Sequence, residues 1–217
     1  MALFVETLKL ASAYEPDMKV GIVDYGMGNH ASVKHSLYDL GYRVRVSNDK
    51  EVLDAVDVLV LPGVGAFPSA MQALHQHGLV DYLQAAARRH RPILGICLGM
   101  QLLASASHEI EYTAGLDLIP GEILPFADRS WHIGWNTLEC ILPDPLLHAS
   151  DTQAFYFNHS FQYQGPTEYQ ICVTRYPDPF AAVIRRGNVV GLQFHPEKSQ
   201  AAGKELLKKL ITGINHA

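Results

Sequence analysis

The chain has 217 residues, 48% of them hydrophobic and 18% charged, which fits a globular protein with one well-buried domain. Its formal net charge of -5, with no basic cluster longer than residues 88–91, argues against nucleic acid as the main partner. No apolar run approaches the roughly 20 residues needed to span a bilayer, so we expect no membrane partner. The cysteines Cys97, Cys140 and Cys172 are odd in number and widely spaced, which argues against a disulfide framework and favours a reducing cytoplasm.

Residues 1–17 lack both the basic start and the long apolar core of a signal peptide. Because Met18 can itself begin the first strand, we expect residues 1–17 to be an N-terminal extension, either dispensable or the product of a misplaced start codon. No internal repeat or low-complexity linker divides the rest, so we expect residues 18–217 to form a single domain.

The first half of the chain alternates between short apolar runs and helical patterns. We predict strands over 19–24, 42–46, 58–61 and 93–96, a helix ending at Gly41, one or two helices over 71–90 broken at Gly78, and a helix over 100–106. Strands that alternate with helices predict a mostly parallel sheet flanked by helices, with its chemistry at the carboxyl ends of the strands.

After about Gly115 the pattern changes to short strands joined by turns rich in proline and glycine. We predict strands over 119–126, 137–142, 153–157, 169–174, 181–184 and 189–194, followed by an amphipathic helix over 202–214 that packs on the sheet. This half is predicted to be antiparallel or mixed.

The segment around Cys97 has the pattern of a nucleophile elbow. Gly95 and Gly99 lie two residues before and after the cysteine, as in the Gly-x-Ser-x-Gly turn with sulfur in place of oxygen. Glycines avoid clashes in such a strained turn, and a helix that starts after the thiol favours the reactive thiolate. A buried structural cysteine at a strand end is the alternative, but the flanking glycines and the strand-to-helix setting favour the nucleophile.

A cysteine nucleophile needs a base, and His195 is the one of eleven histidines whose context singles it out. Glu197 lies two residues on, so in an extended segment its carboxylate points the same way and can orient the imidazole towards Cys97. An ordinary exposed His-Pro-Glu loop is the alternative. The amide of Leu98 and the glycine-rich residues 62–65 are candidate donors to a developing oxyanion, although a plain tight turn is also compatible with residues 62–65.

Residues 26–31 (GMGNHA) support a different interpretation. They match the loose Gly-x-Gly-x-x-Gly/Ala fingerprint of dinucleotide-binding proteins between a predicted strand and helix, and Asp49 lies near the place of the ribose-binding acid. This interpretation leaves Cys97, His195 and Glu197 unexplained.

Taken together, the motifs resemble those of the class I glutamine amidotransferases, and among them the glutaminase subunits of imidazole glycerol phosphate synthases. The matching segments run in order through nearly all of the chain from Met18 onward: VDYGMGN (23–29), LPGVGAF (61–67), GICLGMQLL (95–103), GLDLIPG (115–121), HIGWN (132–136), YFNHSF (156–161) and GLQFHPEKS (191–199).

The resemblance implies a three-layer α/β fold and hydrolysis of L-glutamine to glutamate and ammonia, with neither cofactor nor metal. In this reaction Cys97 attacks the side-chain amide, His195 takes and returns the proton, and Glu197 orients His195. The amides of Val64 and Leu98 would form the oxyanion hole.

The resemblance also implies binding sites for substrate and partner. The positions that match the glutamine pocket are Gly63, Gln101, Glu109, His159 and Ser160. Ammonia would pass to a (β/α)₈-barrel cyclase in a heterodimer, which makes imidazole glycerol phosphate and an aminoimidazole carboxamide ribotide in histidine biosynthesis. The positions that match the partner interface are Asn29, Trp135, Asn136 and Lys198.

Four positions depart from the usual family pattern. Trp131 stands in place of proline, Ile110 in place of glycine, and Asn158 and Phe161 in place of valine and tyrosine. The three catalytic positions are intact. Some relatives supply ammonia to sugar-modifying enzymes of surface polysaccharide synthesis, and these departures leave that pathway open as an alternative.

A chain that starts at Met18 should express, fold and function like the full chain, because the composition of residues 1–17 suits neither targeting nor the first strand. Thermal melting of the two forms checks this expectation. A melting temperature lowered by many degrees in the shorter form would show that residues 1–17 pack into the fold.

Overall fold

The computed structural model describes residues 18–127, 131–147 and 153–214, so the expectation for residues 1–17 lies outside the described part. The strands are β1 (Lys19–Val23), β2 (Arg43–Ser47), β3 (Val58–Gly63), β4 (Ile93–Cys97), β5 (Ala106–Ser107), β6 (Thr113–Ala114), β7 (Glu122–Pro125), β8 (His132–Thr137), β9 (Glu139–Cys140), β10 (Ala154–His159), β11 (Phe161–Gln164), β12 (Gln170–Tyr176), β13 (Asp178–Arg186) and β14 (Val189–Leu192). The helices are α1 (His30–Asp39), α2 (Lys50–Asp54), α3 (Phe67–Gln76), α4 (Leu79–Arg88), α5 (Leu98–Leu102) and α6 (Gln200–Ile214), and two 3₁₀ turns span Thr167–Tyr169 and Pro196–Lys198.

The main sheet has eight strands in the order β2-β1-β3-β4-β14-β13-β12-β9. Its first five strands are parallel, and β13, β12 and β9 continue it antiparallel. This arrangement confirms the predicted parallel half and mixed C-terminal half. A four-stranded sheet, β11-β7-β5-β6, and a two-stranded ribbon, β10-β8, lie outside the main sheet.

The main sheet is buried on both faces because its central strands are continuous apolar runs. In β3, Val58 and Val60 join the core beneath α1 and α6, whereas Leu59 and Leu61 join the core beneath α3 and α4. The alternation of side chains along one strand therefore builds both interfaces of a helix–sheet–helix sandwich. The predicted three-layer fold is confirmed.

Short elements account for most differences from the predicted boundaries. The five-residue helix α2 and the strands β5, β6 and β11 are too short for a periodic pattern to reveal them. Helix α5 ends at Leu102 rather than near residue 106, because Ala106 and Ser107 pair with β6 and β7. The strand predicted over 137–142 is two strands, β8 and β9.

The cysteine expectation is wrong for two of the three residues. Cys140 on β9 and Cys172 on β12 lie opposite each other in the antiparallel pair and are joined by a disulfide. Their separation of 32 residues hides this contact, which exists only because β12 returns alongside β9. Cys97 is free and buried.

Within the described residues, no helix is long and apolar enough to cross a membrane. The same residues hold no group of three or more His, Cys, Asp or Glu side chains arranged to bind a metal ion.

Gly99 should be among the glycines least tolerant of substitution, because α5 packs its backbone against β3. A Cβ at Gly99 would lie 1.7 Å from the carbonyl oxygen of Leu61, whereas a Cβ at Gly187 meets nothing within 4 Å and only a positive φ of 57° opposes it. We expect Gly99→Ala to lower the free energy of unfolding by at least about 3 kcal/mol and Gly187→Ala by about 1–2 kcal/mol, as measured by urea denaturation. Equal losses would contradict the close approach of α5 to β3.

Candidate active site

Cys97 occupies a strained turn between β4 and α5. Its φ of 55° and ψ of -112° lie in a region of backbone conformation that residues other than glycine rarely adopt. The turn needs glycine on both sides, because a Cβ at Gly95 would lie 2.6 Å from the carbonyl oxygen of Gly99 and a Cβ at Gly99 would meet Leu61. The strand–turn–helix arrangement that the glycine spacing predicts is therefore present.

The sheet order brings His195 to the cysteine. β14 lies beside β4 with Leu192 opposite Ile96, so the chain that leaves β14 passes close to Cys97. The backbone N–H of His195 donates to the carbonyl of Tyr156 at 2.8 Å, which fixes the position of the imidazole against β10. His195 is only 3% exposed, so it is not part of an ordinary exposed loop.

The His195 ring bridges Glu197 and Cys97. Nδ1 lies 2.8 Å from Oε1 of Glu197, and both side chains are almost fully buried. With Nδ1 paired to the carboxylate, Nε2 is the ring nitrogen left to face Cys97. The Sγ atom also lies 3.8 Å from the carbonyl oxygen of Asn158. This is the geometry of a nucleophile, a base and an orienting acid.

The pKa of His195 reflects its contacts with Cys97 and Glu197. Burial alone lowers the pKa of His195, but hydrogen bonds to Cys97 and Glu197 and the charges of both outweigh it and raise the pKa to about 10. A histidine held beside a cysteine is the arrangement that nucleophilic catalysis by a thiol needs.

The loop after β3 lies beside Cys97 because Gly63 pairs with Cys97 in register. The base of the loop is fixed, since the Tyr25 hydroxyl donates to the carbonyl of Pro62 at 2.8 Å. Burial, and then the charge of Cys97, raise the pKa of Tyr25, so the hydroxyl stays neutral. Beyond this point Val64 is 42% exposed and Gly65 has a φ of 103°. The two candidate oxyanion donors, Val64 and Leu98, both line the cavity at Cys97.

That cavity has a volume of about 390 Å³, which suits a small ligand. Four of the five predicted substrate residues line it together with Cys97 and His195, namely Gln101, Glu109, His159 and Ser160. Gly63 does not line the cavity but lies behind Val64 at the end of β3.

Glu109 places a carboxylate in the cavity wall. Its Oε2 accepts a hydrogen bond of 2.6 Å from the backbone N–H of Phe67, at the start of α3. Burial raises the pKa of Glu109, and the Phe67 amide opposes part of that rise. The neighbouring Ile110 is 74% exposed.

Two buried groups behind the cavity were missed by the sequence analysis. The side chain of Gln101 donates to Oε1 of Gln193 and to the carbonyl of Phe161, both at 3.2 Å, so Gln193 fixes a wall residue. The signal in the sequence was the position of Gln193, a polar residue that directly follows the apolar run 189–192 and lies two positions before His195.

The second missed group is His132, which supports His159. His159 Nδ1 donates to the carbonyl of Phe161 at 2.8 Å, and its Nε2 lies 3.3 Å from Nδ1 of His132. Burial lowers the pKa of His159 to about 3 and that of His132 to about 4, so both rings are neutral near pH 7. The side chain of His159 is therefore engaged within the wall, not free to carry charge.

The predicted interface residues have different surroundings. Trp135 is 51% exposed and packs edge-on against Tyr156, and Nζ of Lys198 lies over the same ring, 5.8 Å from its centroid. Asn136 donates to the carbonyl of Arg175 at 2.9 Å, and Asn29 caps α1 by accepting from the backbone of residue 32. The structure brings Trp135 and Lys198 together through Tyr156, whereas Asn29 and Asn136 make local contacts.

The dinucleotide interpretation does not fit the loop before α1. The backbone N–H of Gly26 donates to the carboxylate of Asp24 at 3.0 Å, so a negative charge lies where a pyrophosphate would bind. Asp49 caps α2 through the backbone N–H of Glu51 and is thereby engaged.

A parallel sheet whose fourth strand delivers a cysteine elbow to a buried His–Glu pair defines a class I glutamine amidotransferase. The chain belongs to this family: residues 21–213 match the family described as "Glutamine amidotransferase class-I". It is 46% identical over 192 residues to the "Imidazole glycerol phosphate synthase subunit HisH" of Lacticaseibacillus casei, covering 87% of this chain and 92% of the relative. The protein of the same name from Moorella thermoacetica is 45% identical over 203 residues, covering 91% of this chain and 96% of the relative.

Solved structures agree on the fold. The "Structure of PurLQS from Thermotoga maritima" superposes with a TM-score of 0.73 at 20% identity, covering 89% of this chain and 97% of that one. The resemblance predicted from the motifs is confirmed at the level of the family, and by the names of its relatives at the level of the subunit.

Glu197→Gln should lower the pKa of His195 below about 10, because it removes the buried carboxylate that helps hold the imidazolium. Nitrogen NMR of the histidine rings over a pH series measures this directly. Glu122→Gln is the matched control, since it removes a carboxylate 3.1 Å from the exposed His108 ring. An unchanged pKa of His195 in Glu197→Gln would contradict the assigned pairing.

The same pairing has a consequence for stability. Because the folded pKa of His195 lies above its ordinary value of 6.5, its protonation stabilises the fold fully below pH 6.5, and this contribution disappears as the pH rises towards 10. Urea denaturation of wild type and Glu197→Gln should therefore show the largest difference in free energy of unfolding below pH 6.5. A difference that grows between pH 6.5 and 10 would have the wrong sign.

Proposed function

We propose that this chain hydrolyses L-glutamine to glutamate and ammonia and supplies the ammonia to a cyclase as the glutaminase subunit of an imidazole glycerol phosphate synthase. The observation that carries the proposal is the buried Cys97–His195–Glu197 group, which opens onto a cavity of suitable size. The shared name of relatives that are 45–46% identical over most of the chain supports the particular subunit.

The reaction proceeds through a thioester. The Cys97 thiolate attacks the side-chain carboxamide carbon of glutamine, and His195 Nε2 delivers its proton to the leaving nitrogen, which departs as ammonia. Water then attacks the thioester, His195 takes a proton from it, and the Cys97 sulfur leaves with glutamate released. Glu197 keeps the ring in the orientation that both proton transfers need. These steps use only water and the chain's own side chains, with no cofactor or metal.

The developing negative charge on the amide oxygen needs donors on the side of the cysteine that faces β3. The backbone amides of Val64 and Leu98 are the candidates, because both residues line the cavity and the register of Gly63 with Cys97 places the loop beside the sulfur. Backbone donors suit this role because they are fixed before the charge develops.

Glutamine is recognised by the cavity wall that contains Glu109. The Glu109 carboxylate suits the α-ammonium group of glutamine, since its pairing with the Phe67 amide fixes its direction. Gln101 and the segment of His159 and Ser160 form the rest of this wall, and Gly63 supports the loop from behind.

The partner is a cyclase with a (β/α)₈ barrel, and the two chains form a heterodimer in the cytoplasm. We place the partner at the side of the cavity where Lys198 and Trp135 flank Tyr156, because Lys198 lines the cavity and Trp135 is exposed beside it. Asn29 and Asn136 complete the proposed interface. Docking there encloses the exit from Cys97, so ammonia reaches the cyclase without loss to bulk water.

We further propose that the free subunit is a poor glutaminase. Val64 and Gly65 are the exposed part of a loop whose base is pinned by Tyr25, so partner binding can align the Val64 amide. One missing oxyanion donor costs roughly 2.7–4 kcal/mol, or about a hundred- to thousand-fold in rate. Repair should raise kcat more than it lowers KM, because the gain belongs to the transition state.

Glutamate release by the subunit alone, and then with the cyclase and its ribotide substrate, tests the switch and the pathway. Stimulation by about a hundred-fold or more is the expected result. Full activity without any partner would contradict the switch. Activation only by a sugar-modifying synthetase would move the chain to polysaccharide synthesis.

Cys97→Ala should abolish glutamate release, with a loss on the order of a million-fold, while the fold and partner binding persist. Size-exclusion chromatography with the cyclase checks binding, and Ser105→Ala serves as a control at a serine hydroxyl outside the cavity. Glutamate release by Cys97→Ala at a comparable rate would refute the nucleophile.

A further inference from the structure

One wall of the Cys97 cavity is built from two residues that the proposed reaction does not use. The indole Nε1–H of Trp131 donates to Oδ1 of Asn158 at 2.9 Å, and both residues line the cavity. Trp131 is 60% exposed, so its ring stands at the mouth and not in the core.

The pair is attached to the nucleophile through the backbone. The carbonyl oxygen of Asn158 lies 3.8 Å from Sγ of Cys97, while the side chain of the same residue holds the indole. The Trp131 carbonyl is held in turn by the Tyr176 hydroxyl at 3.5 Å. The ribbon fixes the spacing, because Ile133 pairs with Asn158 and His132 with His159. The hydrogen bond of the indole to Asn158 and that of the Trp131 carbonyl to Tyr176 therefore fix the position of the Trp131 ring relative to Sγ of Cys97.

We propose that the Trp131–Asn158 pair is a specificity-determining wall, which limits the Cys97 cavity to amides whose carboxamide nitrogen carries no bulky substituent. A tryptophan ring is the largest side chain available to narrow an opening, and its hydrogen bond removes the rotamer freedom that would let it swing aside. Glutamine has an unsubstituted carboxamide and passes, whereas a γ-glutamyl anilide meets the ring.

This inference rests on the proposed function, which identifies the amide as glutamine. Access to Sγ of Cys97 can nevertheless be measured without assuming any activity. Iodoacetamide is small and N-phenylmaleimide carries an aromatic ring, and both alkylate a thiol. Modification of Cys97 by each reagent, followed by peptide mass spectrometry, reports access to Sγ whether or not the chain hydrolyses glutamine.

The variants are Trp131→Ala, Trp131→Phe and Asn158→Val, with Ile133→Ala as the matched control. Ile133 is an exposed residue of β8, two positions after Trp131 and opposite Asn158 on β10, but it does not line the cavity. We expect Trp131→Ala to speed alkylation by N-phenylmaleimide at least about tenfold, a barrier lowered by about 1.4 kcal/mol, while the iodoacetamide rate changes less than about twofold. The control should leave both rates unchanged.

The hydrogen bond itself is tested by the other two variants. Each removes the same bond, so Trp131→Phe, Asn158→Val and the double variant should raise the N-phenylmaleimide rate by similar factors instead of multiplying. These milder changes also keep the test decisive if Trp131→Ala does not fold. Multiplicative effects would show that the two residues act separately and would overturn the pair.

Hydrolysis of γ-glutamyl p-nitroanilide relative to L-glutamine, with the cyclase present, completes the experiment. Trp131→Ala should raise this ratio at least about tenfold. The proposed role of the wall would be refuted if folded Trp131→Ala left the rate of Cys97 alkylation by N-phenylmaleimide unchanged. It would also be refuted if the rates with N-phenylmaleimide and iodoacetamide rose by equal factors. Faster N-phenylmaleimide alkylation without hydrolysis of either amide would uphold the wall and refute the glutaminase.

Discussion

The backbone of Cys97 is the constraint on which the rest of the site depends. Its positive φ exists because β4 stops where α5 must begin, and Gly99 lets α5 approach the carbonyl of Leu61 on β3. The turn is held between the two hydrophobic cores, because Cys97 packs in one and Leu98 packs in the other. Everything else at the site is arranged around that position, including the register that places Gly63 beside it.

The β8–β10 ribbon connects the surface with this fixed point. The ribbon exposes aromatic side chains such as Trp135. Its backbone contacts Cys97 through the carbonyl of Asn158 and His195 through the carbonyl of Tyr156. The contact between the neutral rings of His132 and His159 joins β8 and β10 near the cavity. A protein that docks on the exposed face therefore acts on an element with direct contacts to Cys97 and His195.

The sequence predicts the elements whose chemistry is local and misses those that depend on folding. Gly95, Cys97 and Gly99 encode the elbow within five residues, and the apolar runs encode the parallel sheet, so both could be predicted. The Cys140–Cys172 contact could not, because it depends on the return of β12 beside β9. The wall contact of Trp131 similarly joins residues on separate strands, and no pattern along the chain indicates that bond.

The attack of Cys97 on glutamine can be tested by incubation with a diazoketone analogue of L-glutamine in the presence of the cyclase, followed by peptide mass spectrometry. We expect one covalent adduct, on Cys97, which excess L-glutamine prevents and which His195→Ala forms much more slowly. An adduct elsewhere, or no adduct while wild type still releases glutamate, would contradict the attack of Cys97 on glutamine.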